Sequence, residues 1–136
     1  MGEINNSYGQ VAGRIWETIN FSGPLDETNI IKKTNLKKND FYAGIGWLAR
    51  ENKILKNGNK YQLGDTNLTD KIGINAGRIW DLLTSQENIN ISNIAKITKI
   101  PIKDAYSALG WLARENKIDI YHENTKKQGL LFSLRR

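Results

Sequence analysis

Cysteine is absent from the 136 residues, histidine occurs once and proline twice, and each scarcity closes a class of chemistry. Without thiols there is no disulfide framework and no thiolate metal centre. The single histidine, His122, falls in a polar stretch near the C-terminal end, where an isolated imidazole reads as a solvent-exposed residue rather than as a base or ligand. No apolar run approaches the roughly 18 residues that cross a bilayer, and the opening Met-Gly-Glu-Ile-Asn-Asn has neither the basic start nor the apolar stretch of a signal peptide. A cytoplasmic location without a membrane partner is therefore the expectation. No phosphate-cradling glycine loop, metal-binding cluster or Ser/His/Asp set is present, and Glu51 and Glu115 stand beside arginine and lysine as surface ion pairs would. The expectation is a protein that is not an enzyme, with no cofactor, no metal, no small-molecule substrate and no ligand cavity.

What the chain does have, it has twice. Ala12-Gly-Arg-Ile-Trp16 returns as Ala76-Gly-Arg-Ile-Trp80, and Gly46-Trp-Leu-Ala-Arg-Glu-Asn-Lys-Ile54 returns as Gly110-Trp-Leu-Ala-Arg-Glu-Asn-Lys-Ile118, both at an offset of 64 residues. Residues 8–54 align with 72–118 without a gap, with 21 identities in 47 positions. Two copies are too few for a solenoid, so each reads as a small domain, 1–64 and 65–136, near the lower size limit of a self-supporting core. The net charge of +6 divides evenly, with nine basic against six acidic residues up to residue 64 and eleven against eight beyond it. That balance suits a polyanionic partner without requiring one.

Periodicity gives the same order of elements in each copy. A first helix spans about residues 8–20 and 70–84, with Ala76, Ile79, Leu82 and Leu83 on one apolar stripe. A short second helix follows, capped by Asp26 or Thr28 in the first copy and by Ser92 in the second. The third and longest covers about 37–51 and 101–115, with Ala105, Leu109 and Leu112 facing inward, and Asn52 and Asn116 stand where a left-handed residue ends a helix. A hairpin closes each copy: Ile54–Lys56 and Lys60–Leu63 flank Asn57-Gly58-Asn59, and Ile118–Tyr121 and Leu130–Leu134 flank a longer polar loop. Three helices followed by a hairpin give a mainly α chain with small β wings, an α+β fold of two tandem winged helix-turn-helix domains.

The Ala-Gly-Arg-Ile-Trp of the first helix, and the Gly-Trp-Leu-Ala-Arg-Glu-Asn-Lys-Ile that ends the third and enters the wing, resemble a small group of winged helix-turn-helix domains whose biochemical role is largely undetermined. The resemblance covers almost the whole chain, twice, although many members of that group are single modules. It implies nucleic-acid binding by analogy of fold.

In such domains the third helix enters the major groove while basic groups contact phosphates. The residues placed for this are Lys32, Lys33, Lys37 and Lys38 in the first copy and Lys96, Lys99 and Lys103 in the second. The wings add Lys56, Lys60, Lys126 and Lys127, and the tail adds Arg135 and Arg136. Double-stranded DNA is the expected partner, bound by a transcriptional regulator or a weakly sequence-selective chromosomal protein. If the linker 64–70 held both third helices on one side of the duplex about 34 Å apart, the tandem would act as a covalent dimer.

A second reading starts from the outward face of the same helix, with Lys38, Tyr42, Ala43, Gly46, Trp47 and Arg50 in one copy and Lys103, Tyr106, Ser107, Gly110, Trp111 and Arg114 in the other. Glycine inside a helix costs about 1 kcal/mol relative to alanine, so close packing should compensate. Gly13 and Gly77 suggest a glycine-mediated contact between the first and third helices, with the four tryptophans filling around it. Alternatively Tyr42, Trp47, Arg50, Tyr106, Trp111 and Arg114 form an aromatic interface between the repeats, between two chains in a homodimer, or toward a partner protein. Aromatic stacking on unpaired bases is a third use of the same residues.

Overall fold

The computed structural model describes residues 5–122 and 129–135; Lys126, Lys127 and Arg136 lie outside the described residues. The first copy runs α1 (Asn5–Ser22), β1 (Leu25–Asp26), α2 (Glu27–Thr34), α3 (Lys38–Arg50), β2 (Ile54–Asn57) and β3 (Lys60–Leu63). The second repeats it as α4 (Thr69–Ser85), β4 (Ile89–Asn90), α5 (Ile91–Thr98), α6 (Ile102–Arg114), β5 (Ile118–His122) and β6 (Leu130–Leu134). Each copy is a three-helix module closed by an antiparallel wing, the winged helix-turn-helix architecture. None of the described helices is long and apolar enough to cross a membrane.

Local chemistry fixes the element ends. Asp26 caps α2 by accepting from the Asn29 N–H, and Asn90, not Ser92, caps α5 by accepting from the Asn93 N–H. Asn90 wins because it leaves strand β4 with extended backbone (φ −87°, ψ 168°), the conformation an N-cap needs. Asn52 and Asn116 adopt left-handed φ values of 60° and 61° after α3 and α6, and the turns after α2 and α5 are made by Asn35 and Lys99 in the same conformation. In the first wing Asn57 pairs with Lys60, so Gly58 and Asn59 form the turn; Gly58 alone has positive φ, the type II′ pattern that suits strand twist. Each wing is three-stranded, in the orders β1-β3-β2 and β4-β6-β5. The added two-residue strands are too short to leave a period-2 signal.

Helix one is tied to the helix-turn-helix by the repeated arginine. Arg14 donates to the Thr34 carbonyl and Arg78 to the Thr98 carbonyl, while the Thr34 and Thr98 hydroxyls bond back to Ile30 and Ile94 at 2.7 and 2.6 Å. The linker is pinned to the first wing: Asn52 accepts from the Thr66 N–H at 2.8 Å, and Asn67 exchanges two hydrogen bonds with the Lys56 backbone.

The cores are shared across the copies. Ala12, Ile15, Ile19, Ile30, Phe41, Leu48 and Ile54 build the first cluster, yet Ile72 of α4 also belongs to it. Its counterpart at the 64-residue offset, Tyr8 of α1, is buried in the second cluster with Ile79, Leu83, Leu109, Leu112 and Phe132. Each first helix thus reaches into its sister's core, and the two copies form one packed body related by a quasi-twofold.

Candidate nucleic-acid interface and the helix-three contact

The centre of that body is the contact of α3 with α6. A Cβ built on Gly46 would lie 1.7 Å from the Ser107 carbonyl oxygen, and one built on Gly110 would lie 1.8 Å from the Ala43 carbonyl oxygen. Only a residue with no side chain lets the two backbones touch here, which explains why glycine sits in the middle of both helices. The face expected to point outward is therefore consumed between the copies: Ala43, Gly46, Ser107 and Gly110 are buried, Tyr106 is 8% exposed, and Tyr42, Trp47 and Trp111 are half-buried against both cores.

Charge pairs close the contact symmetrically. Arg50 reaches Glu115 at 3.0 Å and Arg114 reaches Glu51 at 2.8 Å. Each guanidinium also lies over the other copy's tryptophan, Arg50 at 5.7 Å from the Trp111 ring and Arg114 at 5.9 Å from the Trp47 ring. Lys53 and Lys117 complete the clusters on Glu51 and Glu115 at 3.5 and 3.4 Å. The Tyr42 hydroxyl donates to Glu27 at 2.8 Å; burial and then this carboxylate push its phenol above the ordinary range. All six residues of the aromatic and arginine set thus lie along one intramolecular junction.

The condition set for a covalent dimer on one side of a duplex is not met: the third helices do not stand about 34 Å apart, because they touch at Gly46 and Gly110. Nor do α1 and α3 meet through Gly13 and Gly77, where a Cβ would find nothing within 4 Å. The α1–α3 approach runs instead through Gly9 and Gly44, where a Cβ would fall 2.9 Å from the Trp47 ring and 2.7 Å from the Ile15 side chain. The bare surface left at Gly13 and Gly77 opens two surface grooves of about 350 and 490 Å³.

The basic residues are spread around this junction. Lys32, Lys33, Lys37, Lys38, Lys56, Lys60, Lys96, Lys99 and Lys103 are all exposed, and among the described residues none forms an ion pair. Lys37 and Lys38 stand at the start of α3 and Lys103 in the first turn of α6; neither helix start has a side-chain cap hydrogen bond, unlike those of α2 and α5. Lys56 lies 5.5 Å from the Tyr61 ring on the first wing. Arg135 pairs with Asp119 at 3.6 Å and donates to Asn116, so it closes the second wing. Among the described residues no group of three or more His, Cys, Asp or Glu side chains is placed to hold a metal ion.

The sequence model of the family described as winged helix-turn-helix domain (DUF2582) matches twice, over residues 3–63 and 67–131. An uncharacterised protein of Methanocaldococcus jannaschii is 39% identical over 62 residues, covering 41% of this chain and 83% of that protein, about the length of one copy. No solved structure matches the chain.

Proposed function

The chain belongs to the winged helix-turn-helix domain family, once in each half, and from that premise we propose that it binds duplex DNA through phosphates, as a weakly sequence-selective chromosomal protein rather than a base-reading regulator. The observation that carries this reading is the α3–α6 contact. Major-groove recognition needs the outward face of the third helix to meet base edges, and in both copies that face is packed against the sister helix at Gly46 and Gly110. What remains outside are the uncommitted lysines on α2, α5, the helix-three starts and the first wing. Uncapped helix N-termini with adjacent lysines favour phosphate oxygens through free N–H groups and the helix dipole.

Docking of a separate protein on the aromatic face of helix three is less favoured, because the sister copy occupies that face. A binding rather than catalytic role fits a surface on which nine exposed lysines form no ion pair with any described residue.

Fluorescence anisotropy of a labelled mixed-sequence duplex, titrated at several salt concentrations, tests the proposal. Four to six phosphate contacts predict a slope of log affinity against log salt of about −4 to −5, with affinity changing little between unrelated duplexes. Absence of binding at low salt would sink DNA as the partner. A preference of a thousandfold for one sequence would sink the non-selective reading, since it would require α3 and α6 to separate.

A further inference from the structure

The copies diverge at the turn that leads into the third helix. At the 64-residue offset Lys33, Lys37 and Lys38 of the first copy become Ile97, Pro101 and Ile102 of the second, while Asn35 and Asn39 become Lys99 and Lys103. Lys32 is matched by Lys96. Basic charge is thus moved rather than abandoned, and three apolar residues stand where lysines stood. The core does not need them. Ile94 and Ile100 fill it from this segment, at 0 and 2% exposure, whereas Ile97 is 50% and Ile102 46% exposed and Pro101 is exposed as well. Two of the five large apolar side chains exposed among the described residues therefore lie within six consecutive positions.

Single surface isoleucines are ordinary, but an apolar cluster rimmed by polar groups marks an interaction site. Here the rim is cationic. Lys96, Lys99 and Lys103 are exposed and form no ion pair with any described residue. No acidic residue occurs between Glu87 and Asp104, and Asp104 lies 3.9 Å from Lys71. The turn is also stiff: Pro101 fixes its own φ at −55°, both isoleucines are β-branched, and the Thr98 carbonyl is held by Arg78.

A rigid apolar tip between lysines suits one feature of duplex DNA. Proteins that bend DNA from the minor groove press isoleucine, proline and similar side chains between base steps while cations hold the backbone. That groove is about 6 Å wide, so phosphates of both strands flank whatever enters it. Helix α6 does not lie lengthwise in the major groove, because its outward face is packed on α3; its leading turn is the part left to enter the duplex. Resting on the DNA reading above, we propose that the α5–α6 turn is a wedge: Ile97 and Ile102 enter the minor groove and partly unstack a base step, Lys96, Lys99 and Lys103 hold the flanking phosphates, and the duplex bends. The first copy, with lysines at those positions, holds phosphate without bending. Flexible pyrimidine–purine steps are then favoured, which is selectivity by deformability and not by base contacts.

The test is ligase closure of a mixed-sequence duplex of about 120 bp, shorter than the roughly 150 bp persistence length, with the full chain at concentrations that saturate the duplex by anisotropy. The parent protein should speed circle formation at least about tenfold over bare DNA. Ile97→Lys with Ile102→Lys installs the first copy's residues at exposed positions, so circular dichroism should show an intact fold. This variant should bind at least as tightly, having two more cations, yet close circles at the bare-DNA rate. Ile97→Ala with Ile102→Ala, which adds no charge, should also bind without bending.

Binding without faster closure by the parent, or closure by both variants at the parent rate, would overturn the wedge and leave phosphate binding standing. Absence of duplex binding at low salt would overturn both. Equal bending by parent and variants, with binding to phosphatidylserine vesicles lost only in the variants, would assign the apolar turn to an anionic bilayer instead.

Discussion

Replacing Gly46 by alanine adds one methyl group where the α3 and α6 backbones touch. On an unobstructed helix surface the change should stabilise, because alanine has the better helix propensity by about 0.5–1 kcal/mol. At Gly46 the new carbon would fall 1.7 Å from the Ser107 carbonyl oxygen, against the 3.0 Å below which real Cβ contacts essentially never occur. The obstacle is backbone, which no rotamer change relieves. The helices must separate by more than about 1 Å, an overpacking of the kind that costs about 1–3 kcal/mol. Separation also exposes Tyr106, Trp47 and Trp111 and stretches both cross-copy arginine pairs. The expected net effect of Gly46→Ala is destabilisation by about 2–4 kcal/mol, with Gly110→Ala similar and the double variant less than additive because both act on one contact.

Gly13→Ala is the internal control. It sits in the equally helical α1 with nothing within 4 Å of its new carbon, and should stabilise by about 0.5–1 kcal/mol. Urea unfolding followed by tryptophan fluorescence measures both; with a slope of about 1–3 kcal/mol per molar, the two midpoints should move in opposite directions by readily measured amounts. If Gly46→Ala proves as stable as Gly13→Ala, the third helices do not pack against each other and the sealing of their faces is refuted.

Other consequences follow from the same geometry. Lys37→Glu, Lys38→Glu and Lys103→Glu together should weaken duplex binding at least tenfold and flatten its salt slope by about one per lost phosphate contact, with stability within about 0.5 kcal/mol of the parent; unchanged affinity in the anisotropy titration would exclude these residues. A double-mutant cycle on Arg50→Ala and Glu115→Ala should return a coupling of only about 0.2–1 kcal/mol that fades with salt, because the Arg50 side chain is 46% exposed. Tyr8→Phe should leave stability unchanged or raise it by about 1 kcal/mol in urea unfolding, since the buried hydroxyl has no hydrogen-bond partner among the described residues; a loss of 2 kcal/mol or more would reveal one. Burial raises the Tyr61 phenol to about 12 and pushes those of Tyr8, Tyr42 and Tyr106 above their ordinary value of 10.0. The unfolded chain then gives up these protons first, so the tyrosine contribution to stability is complete below pH 10 and is lost as pH rises through 10 toward 12 and beyond. Urea midpoints that stay flat to pH 11 would contradict that burial.

Much of one module is legible in the chain because its signals are local. Ala105, Leu109 and Leu112 at helical spacing, Asn52 and Asn116 at the helix ends and Asn57-Gly58-Asn59 in the wing each act over a few residues, and the structure places an element at each. The misreadings have local causes too. Asn90 outcompetes Ser92 as a cap because a two-residue strand precedes it, and a strand that short has no alternation to detect. Arg14 and Arg78 belong to the repeated motif, yet their carbonyl partners lie 20 residues away, beyond any helical period.

The candidate site divides in the same way. The doubling, the glycines that demand close packing, the aromatic face of helix three and the abundance of lysine can all be read from residue types and spacing. Which surface meets which cannot be read from them, because an identical motif in two copies looks the same whether it packs within its own copy or on its sister. Only the folded body shows that Gly46 and Gly110 serve the cross-copy contact and Gly9 and Gly73 support the indoles, whereas Gly13 and Gly77 support nothing. The physical reason is range: propensity, capping and turns act within a turn or two of chain, whereas the backbone contact that closes the helix-three faces joins residues about 60 apart, and steric exclusion at a carbonyl has no sequence signature beyond the glycine it requires.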